Sequence, residues 1–172
     1  MKDIELSNLV TILKQEIKEL KQELNKYKHD NLTGLLTRHD CGDYLDKLWY
    51  DVINNNCTIT YTYLDLNGLH YINNTYGHDI GDKYITTLTS ILKSKFKESN
   101  IYRIGGDEFC IINKNDTKSD TDSKLDMIDS VDFEYGTVVV TNNNMYNNIE
   151  EIVKSADNIV INKKMKQDRR RN

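Results

Sequence analysis

The stretch Arg103-Ile104-Gly105-Gly106-Asp107-Glu108-Phe109 constrains this chain more than any other. It lies between two apolar runs, residues 100–102 and 109–112, and so has to turn the chain back between paired strands. Adjacent glycines permit the tight turn and let backbone approach a neighbour or ligand closely. Two acids follow at the turn, where a hard divalent cation can be held against a phosphate. On its own, Gly-Gly-Asp is an ordinary good turn. A second acid upstream changes its meaning. Residues 57–65 alternate and are rich in Thr, Tyr and Ile, which predicts a strand that ends in Asp65.

The remaining periodicities fill in the elements. Residues 43–54 predict a helix with Leu45, Leu48, Trp49 and Val52 on one side. Residues 81–97 predict another, with Ile85, Leu88, Leu92 and Phe96 at helical spacing. After the hairpin come a polar stretch (113–122), a short helix near 124–131, a strand over 133–141 and a closing helix over 149–166. This order predicts an α+β chain with a ferredoxin-like palm, an antiparallel sheet with flanking helices. Asp65 and Asp107 then stand at neighbouring strand ends, as in the palm of a nucleotidyl transferase.

A separate element precedes the palm. Val10, Ile17 and Leu24 recur every seven residues, and Leu6, Leu13, Leu20 and Tyr27 do so at an offset of three. β-branched residues at a and Leu at d favour a parallel two-stranded coil. Glu16 and Glu23 fall at g and Lys14, Lys21 and Lys28 at e, so a partner copy would pair Glu16 with Lys21 and Glu23 with Lys28. The other reading is one amphipathic helix folded against its own domain. The narrow stripe with charged flanks favours the coil, although roughly three to four heptads are marginal in isolation. The expected division is residues 1–29 as a coiled-coil dimerisation helix and 30–172 as the globular domain.

Composition excludes several classes. A net charge of −4 argues against a general nucleic-acid binder, and the basic residues Lys163, Lys164, Lys166 and Arg169 to Arg171 read first as a solvated tail. Three scattered cysteines without metal-ligand spacing fit a reduced, cytoplasmic protein. No apolar run is long enough for membrane insertion, and no signal-peptide core follows Met1-Lys2.

The run Asp65-Leu66-Asn67-Gly68-Leu69-His70-Tyr71-Ile72-Asn73-Asn74-Thr75-Tyr76-Gly77-His78-Asp79-Ile80-Gly81-Asp82, followed by Arg103 to Phe109, resembles the GGDEF family of diguanylate cyclases. Asp30 to Arg38 looks like the family's opening motif, with Thr37 where Asn is usual, and Ala156-Asp157 followed by Lys164 is similar to its last helix. The resemblance implies condensation of two GTP into cyclic di-GMP by a dimer, with Mg²⁺ (or Mn²⁺) as cofactor. It implies metal ligation by Asp65, the Leu66 carbonyl, Asp107 and Glu108, with Asp107 and Glu108 also serving the chemistry. By the same resemblance Asn73 and Asp82 read guanine, whose adjacent N–H donors suit a carboxylate. His78 lies near the nucleotide, and Lys164 meets the terminal phosphates.

Three positions depart from the pattern of that resemblance. His70 stands where a lysine is usual, and neutral imidazole is a poorer partner for the reacting phosphate. Asp168 stands where arginine is expected. Phe96-Lys97-Glu98-Ser99 replaces the Arg-x-x-Asp product-inhibition motif, which argues against feedback through that site. A GTP-binding regulatory module without turnover, or a cyclase making another cyclic dinucleotide, are the alternatives, and Asp82 argues against the second.

Overall fold

The structure is a computed structural model that describes residues 2–54, 57–143 and 146–171. Within its terminal helices the side chains of residues 2–7, 21–27, 168, 170 and 171 lie outside that description, and with them the heptad positions Leu6, Leu24 and Tyr27 and the Asp168 departure.

Helix α1 (Lys2–Tyr27) leads into a body ordered β1 (Leu36–Thr37), α2 (Arg38–Ile53), β2 (Ile59–Leu66), α3 (Leu69–Tyr76), α4 (His78–Lys95), β3 (Ile101–Arg103), β4 (Glu108–Lys114), α5 (Lys118–Asp126), β5 (Phe133–Val140) and α6 (Ile149–Arg171). The five strands lie in the order β1-β3-β4-β2-β5. The expected antiparallel palm is present in β3, β4, β2 and β5, and the short edge strand β1 adds one parallel pairing to β3.

β2 lies between β4 and β5 and is buried on both faces, which explains its near-continuous apolar and threonine content. Its odd residues Ile59, Tyr61 and Tyr63 pack with Leu45, Leu48 and Val52 of α2 and Ile152, Ala156 and Val160 of α6. Leu64 and Leu66 face the other way, onto Ile85, Leu88 and Leu92 of α4. Two buried threonines of β2 satisfy their hydroxyls across the sheet and onto α5: Thr62 meets Thr137 at 3.1 Å and Thr60 meets Thr121 at 3.5 Å.

Several boundaries differ from the sequence reading. α2 begins at Arg38 rather than 43, because Cys41 extends its buried stripe by a turn. The helix expected near 124–131 is α5, one and a half turns earlier, started by Thr117, whose hydroxyl accepts from the Asp120 amide at 3.1 Å. α3 had no periodic signal of its own, and α6 continues to Arg171 instead of stopping near 166.

On α1, the stripe residues Val10, Leu13, Ile17 and Leu20 are 41–63% exposed, so this helix does not bury them against its own body. Its exit is nonetheless fastened: the Thr37 amide donates to the Lys28 carbonyl at 3.1 Å, and His29 bridges to Leu36.

Candidate functional site

The site begins where β2 and β4 end side by side. Their register places Asp65 opposite Glu108, and the Leu66 amide donates to the Asp107 carbonyl at 2.9 Å. Asp65, Asp107 and Glu108 therefore converge on one end of the sheet, and a fourth acid, Glu134 of β5, stands opposite Asp65 on its other side. Burial pushes the Asp65 carboxyl above its ordinary value; Lys164 pulls it back and the charges of Asp107 and Glu108 add to the rise. Lys164 reaches in from α6, its Nζ donating to Asp65 Oδ1 at 2.5 Å. Among the described residues no three His, Cys, Asp or Glu side chains form a ready cation cage. Asp65 is held instead by an ammonium, and the carboxylate oxygens beside it are hard donors, a type that suits a hard divalent cation.

Glu108 is held at both carboxylate oxygens. Tyr63 Oη donates to Oε1 at 2.6 Å, and the Arg38 guanidinium lies 3.2 Å from Oε2. Burial, then the hydrogen bond to Glu108, pushes the Tyr63 phenol well above its ordinary value, which keeps it a donor at neutral pH. The carboxylate folds back over its own turn: a Cβ at Gly105 would stand 2.1 Å from Oε2. An alanine there would have to push the Glu108 carboxylate aside.

The turn is also tied to the opening motif. Arg38 Nε donates to the Ile104 carbonyl at 2.6 Å. Arg103 donates to both Asp30 oxygens at 2.9 and 3.1 Å and to the Gly106 carbonyl at 2.7 Å. Burial alone would raise Asp30, but hydrogen bonds from Thr33 and Arg103 hold its carboxyl below the usual range.

The second half of the site lies on α3 and α4, which meet at Gly77. Asn73 projects from α3 towards Gly81, where an added Cβ would meet its Oδ1 at 1.9 Å. Asp82 follows directly and is exposed, as are His78 at the start of α4 and His70 on α3. His70 Nε2 lies 2.9 Å from the Asn74 amide nitrogen one turn on.

The structure thus gathers Asp65, Asp107, Glu108 and Lys164 at the strand ends, and sets Asn73 against Gly81 and Asp82 at the helix corner. Sequence reasoning missed Tyr63 and gave no role to Asp30, Arg38 or Arg103. Asp30 and Arg38 sat inside a quoted motif, so a signal was present; Tyr63 had only its alternation with Asp65 on one strand face. A cavity of about 720 Å³ lined by Tyr84, Asp132, Tyr135 and Lys163 takes in neither the Asp65–Asp107–Glu108 acids nor the Asn73–Asp82 corner.

The family described as "Diguanylate cyclase, GGDEF domain" matches residues 27–131. A probable diguanylate cyclase of Escherichia coli (strain K12), DgcJ, is 34% identical over 84 residues, which cover 48% of this chain and 17% of that protein. The signaling protein YkoW of Bacillus subtilis (strain 168) is 34% identical over 116 residues, 63% of this chain and 14% of its own length. The chain therefore spans less than a fifth of either relative. Among solved structures, the coiled coil and GGDEF domain of DgcB from Caulobacter crescentus, in complex with c-di-GMP, matches with a TM-score of 0.79 at 19% identity, covering 95% of this chain and 94% of that one. The diguanylate cyclase SiaD from Pseudomonas aeruginosa, in complex with its activator SiaC, matches at 0.72 and 19% identity, covering 94% and 68%. These two likenesses are of fold. The family match runs from the end of α1 to just short of β5 and takes in both acid sites, and on that ground the chain belongs to the GGDEF domain family.

Proposed function

We propose that the chain is a diguanylate cyclase that condenses two GTP into cyclic di-GMP and releases two pyrophosphates. The observation that carries this reading is the β2–β4 register, which sets Asp65 beside Glu108 and Asp107 at one sheet end. Phosphoryl transfer asks the protein for positioning and charge stabilisation more than for covalent chemistry. Asp65, the Leu66 carbonyl, Asp107 and Glu108 would hold Mg²⁺ or Mn²⁺. A divalent ion so held supplies charge neutralisation and makes a bound hydroxyl more acidic.

Lys164, already beside these acids, turns its ammonium to the terminal phosphates when they arrive. Asn73 and Asp82 accept the guanine N–H donors, and His78 stands near the nucleotide. Asp107 assists removal of the 3′-hydroxyl proton. Each subunit holds one GTP, and the two sites face one another so that each hydroxyl attacks the opposite α-phosphate. Pairing of two α1 helices through the exposed stripe raises the local concentration for that encounter. Because residues 28 and 29 are stitched to β1, the turn that brings the two sites face to face has to lie within α1 or just before residue 28.

A GTP-binding regulator without turnover is the second reading, and His70 in the place of a lysine favours it. Incubating the purified protein with GTP, ATP or both, with Mg²⁺ or Mn²⁺, and resolving products by chromatography and mass spectrometry separates the two. Cyclic di-GMP from GTP alone, lost in Asp107→Ala, is the expected result. GTP binding without pyrophosphate release, across protein concentrations and with either ion, would establish the regulator.

A further inference from the structure

We infer that Tyr63 and Arg38 are positioning residues, a two-sided brace that fixes the Glu108 carboxylate so that its remaining lone pairs are presented to a cation shared with Asp65. The inference rests on the metal site of the preceding reading.

A carboxylate has two oxygens and about four lone-pair directions. In this chain one direction on each oxygen is taken: Oε1 by the Tyr63 hydroxyl at 2.6 Å and Oε2 by Arg38 at 3.2 Å. The two donors come from different elements, Tyr63 from β2 and Arg38 from the first turn of α2, so each carboxylate oxygen is held by a separate part of the fold. Behind it lies the Gly105 backbone, so close that a methyl group there would displace the carboxylate. The direction left open is along the sheet end, where Asp65 stands opposite in register.

Packing alone does not call for these groups. Tyr63 is 7% exposed among apolar neighbours, where a phenylalanine ring would fill the same space without bringing a hydroxyl that has to be satisfied. Its alternate neighbour on the same strand face, Tyr61, lies deeper in the core and is not in contact with an acid of the site. Arg38 spends two nitrogens on the hairpin while remaining 73% exposed, which is a weak arrangement for stability and a useful one for orientation. Partners one shell behind a metal ligand commonly change metal affinity ten- to a hundredfold when removed.

The test is calorimetric titration of Mn²⁺ into the full chain saturated with a non-hydrolysable GTP analogue, alongside titration of the analogue itself. Tyr63→Phe, which keeps the ring, is expected to weaken Mn²⁺ about tenfold and to leave analogue affinity within about twofold. Arg38→Gln, at an exposed position, is expected to weaken it less, with Arg38→Lys recovering part of the loss. Glu108→Gln combined with Tyr63→Phe should be no weaker than Glu108→Gln alone, since the hydroxyl acts through that carboxylate. Unchanged Mn²⁺ affinity in Tyr63→Phe, an additive loss in the double variant, or a parent chain that takes up no Mn²⁺ would each overturn the brace. A parent that binds Mn²⁺ and analogue but forms no dinucleotide from GTP would sink the cyclase reading and leave the brace standing.

Discussion

The two halves of the proposed site are built by opposite means. At the hairpin, Asp65, Glu108, Arg38 and Arg103 each hold a partner from a different element of the fold. At the α3–α4 corner, His70, His78 and Asp82 are exposed, and only Asn73 is positioned by close packing against Gly81. Groups that stabilise charge in a transition state work best when fixed beforehand, because no reorganisation is then left for the reaction step. Groups that read a base can be completed by the base itself, at some cost in affinity. The hairpin end should therefore govern turnover and the helix corner should govern binding.

The largest expected effect tests that division directly. Asp65→Asn removes one charge from the strand-end acids and the partner of Lys164, and should lower turnover on the order of a thousandfold. GTP affinity should fall only a few-fold, because the base readers are untouched. Steady-state kinetics together with equilibrium nucleotide binding would check this, and an equal loss in both would merge the two halves into one.

The next effect is on folding. Asp30 joins the opening motif to Arg103, whose side chain is 12% exposed. Asp30→Asn should destabilise the chain by about 2 kcal/mol at pH 7, read by urea unfolding. The Asp30 carboxyl is held below its ordinary value of 3.8, so the charged pair contributes fully above that value and is lost as pH falls through the lower folded value. The gap between parent and variant should accordingly narrow below about pH 4. A gap that stayed constant down to pH 2 would mean that the effect does not come from the charged carboxylate and its Thr33 and Arg103 donors.

These contacts mark where sequence reasoning ran out. The strands of the palm were readable because β2, β4 and β5 carry alternation or buried runs bounded by turn residues, and Asp65 and Asp107 fell at strand ends for the same reason. α5 was displaced because its apolar side consists of Thr121 and Leu125 alone; the Thr117–Asp120 cap was the better marker. The Tyr63–Glu108 and Arg38–Glu108 contacts join residues 45 and 70 positions apart, and no local pattern encodes such a meeting. Local chemistry announced the acids; only the folded sheet supplied what orients them.

A smaller effect is expected at the helix corner. Gly81→Ala would drive a methyl group into the Asn73 amide, with 1.9 Å between Cβ and Oδ1. That oxygen is the far end of a side chain and can swing away, so folding should survive while the amide loses its aim at the base. GTP affinity should fall about tenfold, with turnover at saturation within about threefold of the parent. Loss of turnover without loss of affinity would move Asn73 out of the base-reading half.

His70 lies between the two regimes, and the effect of changing it should be the smallest. It projects from the first turn of α3, close in sequence to the acids yet exposed like the rest of the corner, and its ring nitrogen meets Asn74. His70→Lys adds a compact permanent charge on a flexible stem at a solvent-facing position, where attraction to phosphate is partly screened. Turnover should rise about three- to fivefold at low ionic strength, and the gain should shrink as salt is added. Stability should stay within about 0.5 kcal/mol of the parent, since no buried contact is lost. A fall in turnover would mean that the imidazole and its Asn74 partner already orient the nucleotide. His70 would then belong with the fixed half of the site, and the boundary between the halves would run through α3 instead of before it.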